Sequence, residues 1–95
     1  LKLTEEKIFI LYKDVLAEVE PTKSIKEIAN SVNRQNGKKY SENWMWELLN
    51  IMHSLKVIEK VLDEPKAQRF RRTKKGERII KAENLDDLRR LSYGR

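Results

Sequence analysis

Ninety-five residues are enough for one small domain with its own core and too few for two. The chain is 39% hydrophobic and 38% charged, and its longest apolar run, Ile8 to Tyr12, is five residues, against the roughly 18 that a membrane span requires. There is no cysteine, and no positively charged start leading into an apolar core, so the sequence predicts neither disulfides nor a secretory signal; the net charge is +6, and where the excess lies says more than its size.

In chain order, Thr4 is placed to cap a first helix over about 4–20, with Glu5 and Glu6 in the opening turn where carboxylates suit the positive end of the macrodipole. Ile8, Leu11, Tyr12, Val15, Leu16 and Val19 recur at three and four, and Pro21 ends the pattern. Ser24-Ile25-Lys26-Glu27 reads as a capping box opening a second helix over 24–34, with Ile25, Ile28, Ala29 and Val32 towards the core. It is expected to fade near Asn33 into a polar loop containing the turn signal Asn36-Gly37.

Ser41 caps the central helix, 41–55. Trp44, Leu48, Ile51 and Leu55, widened by Met45, Leu49 and Met52, form its apolar stripe, leaving Glu42, Asn43, Trp46, Glu47, Asn50 and His53 on the polar side. Three uses of Trp46 are open: a nucleic-acid contact, a protein interface, or burial under the loop at Asn36. Beyond Leu55 the sequence becomes β-branched and partly alternating, and two short strands around Asp63-Glu64-Pro65-Lys66 make a hairpin over 57–72. Thr73 caps a further helix, Lys74 to about Ala82, and Asn84 opens a last turn or two carrying Leu85, Leu88 and Leu91, so that the C-terminal helical segment covers 73–92.

The charge is unevenly spread. Residues 1–30 hold five basic and six acidic side chains, whereas Lys66 to Arg78 holds seven basic residues against Glu77 alone. Such a cluster attracts polyanions over about a Debye length, roughly 8 to 10 Å at physiological salt.

Three stretches carry a family likeness: Ser24-Ile25-Lys26-Glu27-Ile28-Ala29, Leu55-Lys56-Val57-Ile58 and Arg72-Thr73-Lys74-Lys75-Gly76. In order and spacing the whole chain resembles the winged helix-turn-helix domain, as in MarR-, PadR- and ArsR-like regulators and many archaeal relatives, whose corresponding stretches look like S-x-x-E-I-A, L-x-x-x-G-L-I and L-T-x-x-G. Lys56-Val57 stands where Gly-Leu is usual, and Arg72 where Leu is. The resemblance implies a mainly α fold with a small β-hairpin: a three-helix core, a two-stranded wing and a C-terminal helix in one domain.

It also implies a DNA-binding protein, a transcriptional regulator, cytoplasmic or nucleoid-associated, in which the central helix enters the major groove and the hairpin lies along the backbone. On that reading Ser41, Asn43, Trp46, Glu47 and Asn50 face the duplex from the recognition helix, while Lys38, Lys39, Lys66, Arg69, Arg71 and Lys74 hold phosphates from the loop and wing. Asn43 and Asn50 are of the type that pairs with adenine, and Glu47 of the type that accepts from cytosine. The carboxylates Glu42 and Glu47, with the exposed Trp46, motivate a rival reading as a protein-interaction module of a larger replication, transcription or assembly complex.

Neither a membrane partner nor a cofactor is expected. His53 is the only histidine and reads as a surface residue, so no metal set can be assembled, and no glycine-rich phosphate loop or nucleophile with a partnering base is visible. Catalysis is not expected. Leu85, Leu88 and Leu91 either close over the first helix or pair with a second copy, and a homodimer is the expected assembly because winged-helix regulators commonly dimerise through terminal helices.

Overall fold

The computed structural model describes residues 2–64 and 67–93, with side chains described for these except at 63 and 91–93. Six helices and one antiparallel hairpin follow in the order α1 (Glu5–Leu11), α2 (Lys13–Glu18), α3 (Ile25–Asn36), α4 (Glu42–Ser54), β1 (Ile58–Glu64), β2 (Ala67–Arg72), α5 (Lys74–Lys81) and α6 (Leu85–Tyr93). One cluster drawn from all of these elements forms the core, with Ile8, Leu16, Ile28, Leu49, Phe70 and Ile79 fully enclosed. No described helix is long and apolar enough to cross a membrane.

The first helical segment is broken, contrary to the continuous helix expected over 4–20. Tyr12 leaves helical geometry (φ −131°, ψ 21°), closing α1 and opening α2. Below the break Val15, Leu16 and Val19 enter the core, but Leu11, whose spacing assigned it to the same face, is 57% exposed and its neighbour Ile10 61%. The second helix runs past its expected end at 34 to Asn36, where Gly37 terminates it in the left-handed conformation. Asn33 keeps the remaining loop tight: its side-chain amide donates to the Tyr40 carbonyl and its side-chain oxygen accepts from the Tyr40 N–H, each at 2.9 Å.

Helix α4 buries Met45, Leu48, Leu49 and Met52, a narrower face than the wide apolar stripe allowed, and Ile51 is left 45% exposed. The facing elements account for this. Phe70 of the hairpin is fully buried and meets the half-buried His53 edge-on at 6.4 Å, so one side of that histidine packs on the hairpin while the rest reaches the surface as expected. The strands pair from Ile58↔Arg72 to Glu64↔Ala67, and the register shifts by one between Lys60 and Leu62, making Val61 a bulge.

Two backbone details explain the family-like stretches. Val57 N–H donates to Met52 O at 3.2 Å and Lys56 N–H to His53 O at 3.0 Å, a Schellman closure of α4 that requires the left-handed region at Lys56, where φ is 66°. Glycine is at ease there and lysine is not. Gly76, in turn, packs on the backbone just beyond: a Cβ on it would lie 2.2 Å from Val57 O. Thr73 completes the closure, its N–H donating to Val57 O at 3.1 Å and its hydroxyl to Lys56 O at 2.6 Å.

The C-terminal helical segment is also divided, into α5 and α6. Leu88 is only 2% exposed, within the chain's own core, and Leu85 packs partly against the same cluster. Leu88 is therefore withdrawn from the expected dimer surface, because its side chain is already spent on the monomer. The side chain of Leu91 lies outside the described residues. In urea titrations the two closure positions should respond with opposite signs: Gly76→Ala should cost about 1–3 kcal/mol or more through the backbone clash. Lys56→Gly should stabilise by about 0.5–1 kcal/mol, the relief of left-handed strain less the added freedom of the unfolded chain.

Candidate nucleic-acid interface

The start of α3, the first turns of α4 and strand β2 converge on a groove of about 350 Å³ lined by Ser24, Ile25, Lys26, Glu42, Trp46, Ala67, Gln68 and Arg69. Trp46 is 46% exposed there, beside the hairpin and not under the loop at Asn36. Glu27 ties two of the walls together. Its N–H donates to Ser24 Oγ at 3.2 Å and Ser24 N–H donates to its Oε1 at 2.8 Å, completing the capping box. Its Oε1 also lies 3.9 Å from Arg69 Nη1. Hydrogen bonds from the Ser24 backbone and hydroxyl, and then the charges of Arg69 and Lys23, hold the Glu27 carboxyl below its ordinary value of 4.5.

The other residues expected in the site divide into those available and those committed. Lys38 and Lys39 are exposed on the loop ahead of α4 and make no side-chain bond among the described residues. Asn43 is likewise exposed and uncommitted. Ser41, by contrast, is spent on its helix: its hydroxyl accepts from Trp44 N–H at 3.0 Å. The Asn50 amide turns back to donate to Trp46 O at 2.7 Å, which commits one of its two N–H groups to its own helix. Glu47 stands on the other flank of α4, on the lip of a separate groove beside Ile51 and Tyr12.

The basic run is not one patch. Arg69 is shared with Glu27, and Arg71 on the outer face of the hairpin pairs with Glu59 at 2.5 Å. Arg72 turns inwards, donating to the carbonyls of Leu16, Ala17 and Val19 at 3.3, 3.0 and 2.9 Å and to Glu77 at 3.1 Å. Lys75 is held by Glu5 at 3.2 Å and by Leu55 O at 3.1 Å. Lys74, grouped with the wing as a phosphate contact, opens α5 as its capping signal indicates and shares a depression with Arg78 and Lys81. Lys66 lies outside the described residues.

Lys26 was not singled out by sequence reasoning, although it follows Ser24 within the capping box and so had to lie in the first turn of α3. Supporting contacts hold this region in place. Tyr40 stacks on Trp44 with centroids 4.1 Å apart, and burial pushes its phenol up. In the connector before α3, the Thr22 hydroxyl draws the Glu20 carboxyl down, while a hydrogen bond to Glu18 raises Lys23. Among the described residues no group of three or more His, Cys, Asp or Glu could hold a metal ion. Comparison with known proteins adds no relative: no family model, curated protein or solved structure matches the chain.

Because the folded-state Glu27 carboxyl is more acidic than the unfolded one, its contribution to stability is present above the ordinary value of 4.5 and is lost as pH falls through the depressed folded value. Glu27→Gln keeps a side chain able to cap but removes the ionisation. The wild type should therefore exceed it in urea midpoint at neutral pH, and the difference should shrink as the solution is acidified below 4.5. An acid-independent difference would show that the charge on Glu27 contributes nothing.

Proposed function

We propose that the chain is a winged helix-turn-helix domain that binds duplex DNA mainly through its phosphates, with α3, the 37–40 loop and α4 as the helix-turn-helix and β1–β2 as the wing, acting in transcriptional regulation. The observation that carries this reading is the convergence of Lys26, Trp46 and Arg69, from three elements, on one open groove, with the uncommitted Lys38 and Lys39 just ahead of the same helix. Order of elements supports it: with the broken pairs α1–α2 and α5–α6 each counted as one segment, the chain runs helix, helix, helix, hairpin, helix, the order such a domain requires. Phosphates need cations and no particular base, and these side chains supply them.

Base reading is assigned a small share. Asn43 is free to pair with a base and Trp46 to pack on a thymine methyl or a sugar, whereas Asn50 and Ser41 are engaged within α4. Arg69 and Arg71 bind their carboxylates at partly exposed sites, where an ion pair is worth about 0–1 kcal/mol, so a phosphate can compete for either arginine.

A second reading, a winged-helix protein-interaction module within a larger assembly, is favoured by one observation: Glu42 stands in the groove beside Trp46, where it repels phosphate. A duplex titration separates the two. If Lys26, Lys38, Lys39 and Arg69 each neutralise one phosphate, the logarithm of the association constant should fall with log salt at a slope of about −3.6. Lys38→Ala with Lys39→Ala should reduce that slope by about 2 and weaken binding to all sequences alike. No measurable duplex affinity even at low salt, together with loss of a protein partner on Trp46→Ala, would favour the interaction module instead.

A further inference from the structure

Three of the exposed large apolar side chains gather on the flank of α4 away from Trp46. Helices α1 and α4 enclose a groove of about 420 Å³. Its apolar lining includes Ile10, Leu11 and Ile51, which are 61%, 57% and 45% exposed. Large apolar side chains gathered in this way are unfavourable in water, and the break at Tyr12 keeps Ile10 and Leu11 out of the chain's own core.

We propose that this groove is a self-association surface whose occupant is the same groove of a second copy of the chain. The argument rests on charge. Lys7 of α1 and Lys2 just ahead of it line one wall, and Glu47 of α4 lines the other. Among the described residues Lys7 has no carboxylate partner, its Nζ donating only to Lys2 O at 3.2 Å, and Glu47 makes no side-chain bond at all. A basic or an acidic partner would match one wall and oppose the other. A two-fold axis through the groove brings Lys7 of each copy to Glu47 of the other, satisfying both walls at once while the isoleucines and leucines between them are covered. Leu88 does not compete for this role, because it is already enclosed in the monomer.

Neither the groove nor its charges enter the DNA-binding reading, so the two stand or fall separately. Sedimentation equilibrium of the full chain across a wide concentration range tests the proposal. The wild type should approach the mass of two chains. Leu11→Glu should sediment as one chain with unchanged helical circular dichroism, since this side chain is mostly in water in the monomer. K7E and E47K should each weaken self-association by roughly tenfold, because symmetry turns both pairs repulsive together. Combined, K7E/E47K should restore it. A wild type of single-chain mass throughout would overturn the proposal, as would a dimer indifferent to Leu11→Glu or a double variant no tighter than the singles.

Discussion

The Arg72 guanidinium is the contact on which the arrangement of the other elements depends. At the end of β2 it donates to three carbonyls at the end of α2 and to Glu77 of α5, drawing into one place elements that are distant in sequence. A lysine carries the same charge but not the planar fork needed to serve several acceptors together. Held there, the hairpin lays Phe70 across the core and leaves Arg69 beside the first turn of α3. Beside it, the closure at Val57 and Gly76 fixes how α4 hands over to the hairpin, and the two contacts set where Trp46 lies relative to Arg69.

Placing the same arginine inside the molecule changes the meaning of the positive charge. Counted along the chain, the cations after Pro65 look like one surface. In three dimensions Arg72 and Lys75 are structural, Arg71 is paired across the hairpin and Lys74 lies beside Arg78 and Lys81. Beside Trp46 the cations are fewer and assembled differently, from Lys26 of α3 and Arg69 of β2, with Lys38 and Lys39 exposed on the loop ahead of α4. Helix α4 thus has two unlike flanks: a polar, cationic one at Trp46 and an apolar one at Ile51, about 140° apart at 100° per residue. The proposed duplex and second-copy surfaces therefore draw on different side chains.

Most element positions were legible in the sequence because their signals are local. Ser24 with Glu27, Ser41 before α4 and Thr73 before α5 all make the capping bonds their spacing indicates. Lys56 and Gly76 were visible as family-like positions, though the left-handed strain at one and the backbone contact at the other needed coordinates. Features decided by distant partners were not legible. Periodicity carried Leu11 into the core because nothing nearby marks Tyr12 as a break. The wide stripe of α4 could not say which of its edges would be covered until Phe70 and α3 were in place. Nor does sequence separation reveal that Arg72 meets residues 16–19, or that the side chain of Asn50 bonds its own helix. The charge run was read correctly as an excess and wrongly as a single surface for that reason.

The most direct test of this division of the charge is backbone and indole NMR of the labelled chain titrated with a short duplex at low salt. Shifts confined to Lys26, Lys38, Lys39, Asn43, the Trp46 indole and Arg69, with the α2–Arg72–α5 junction unmoved, are what the account predicts. Shifts centred on Lys74, Arg78 and Lys81, with the Trp46 groove silent, would contradict it.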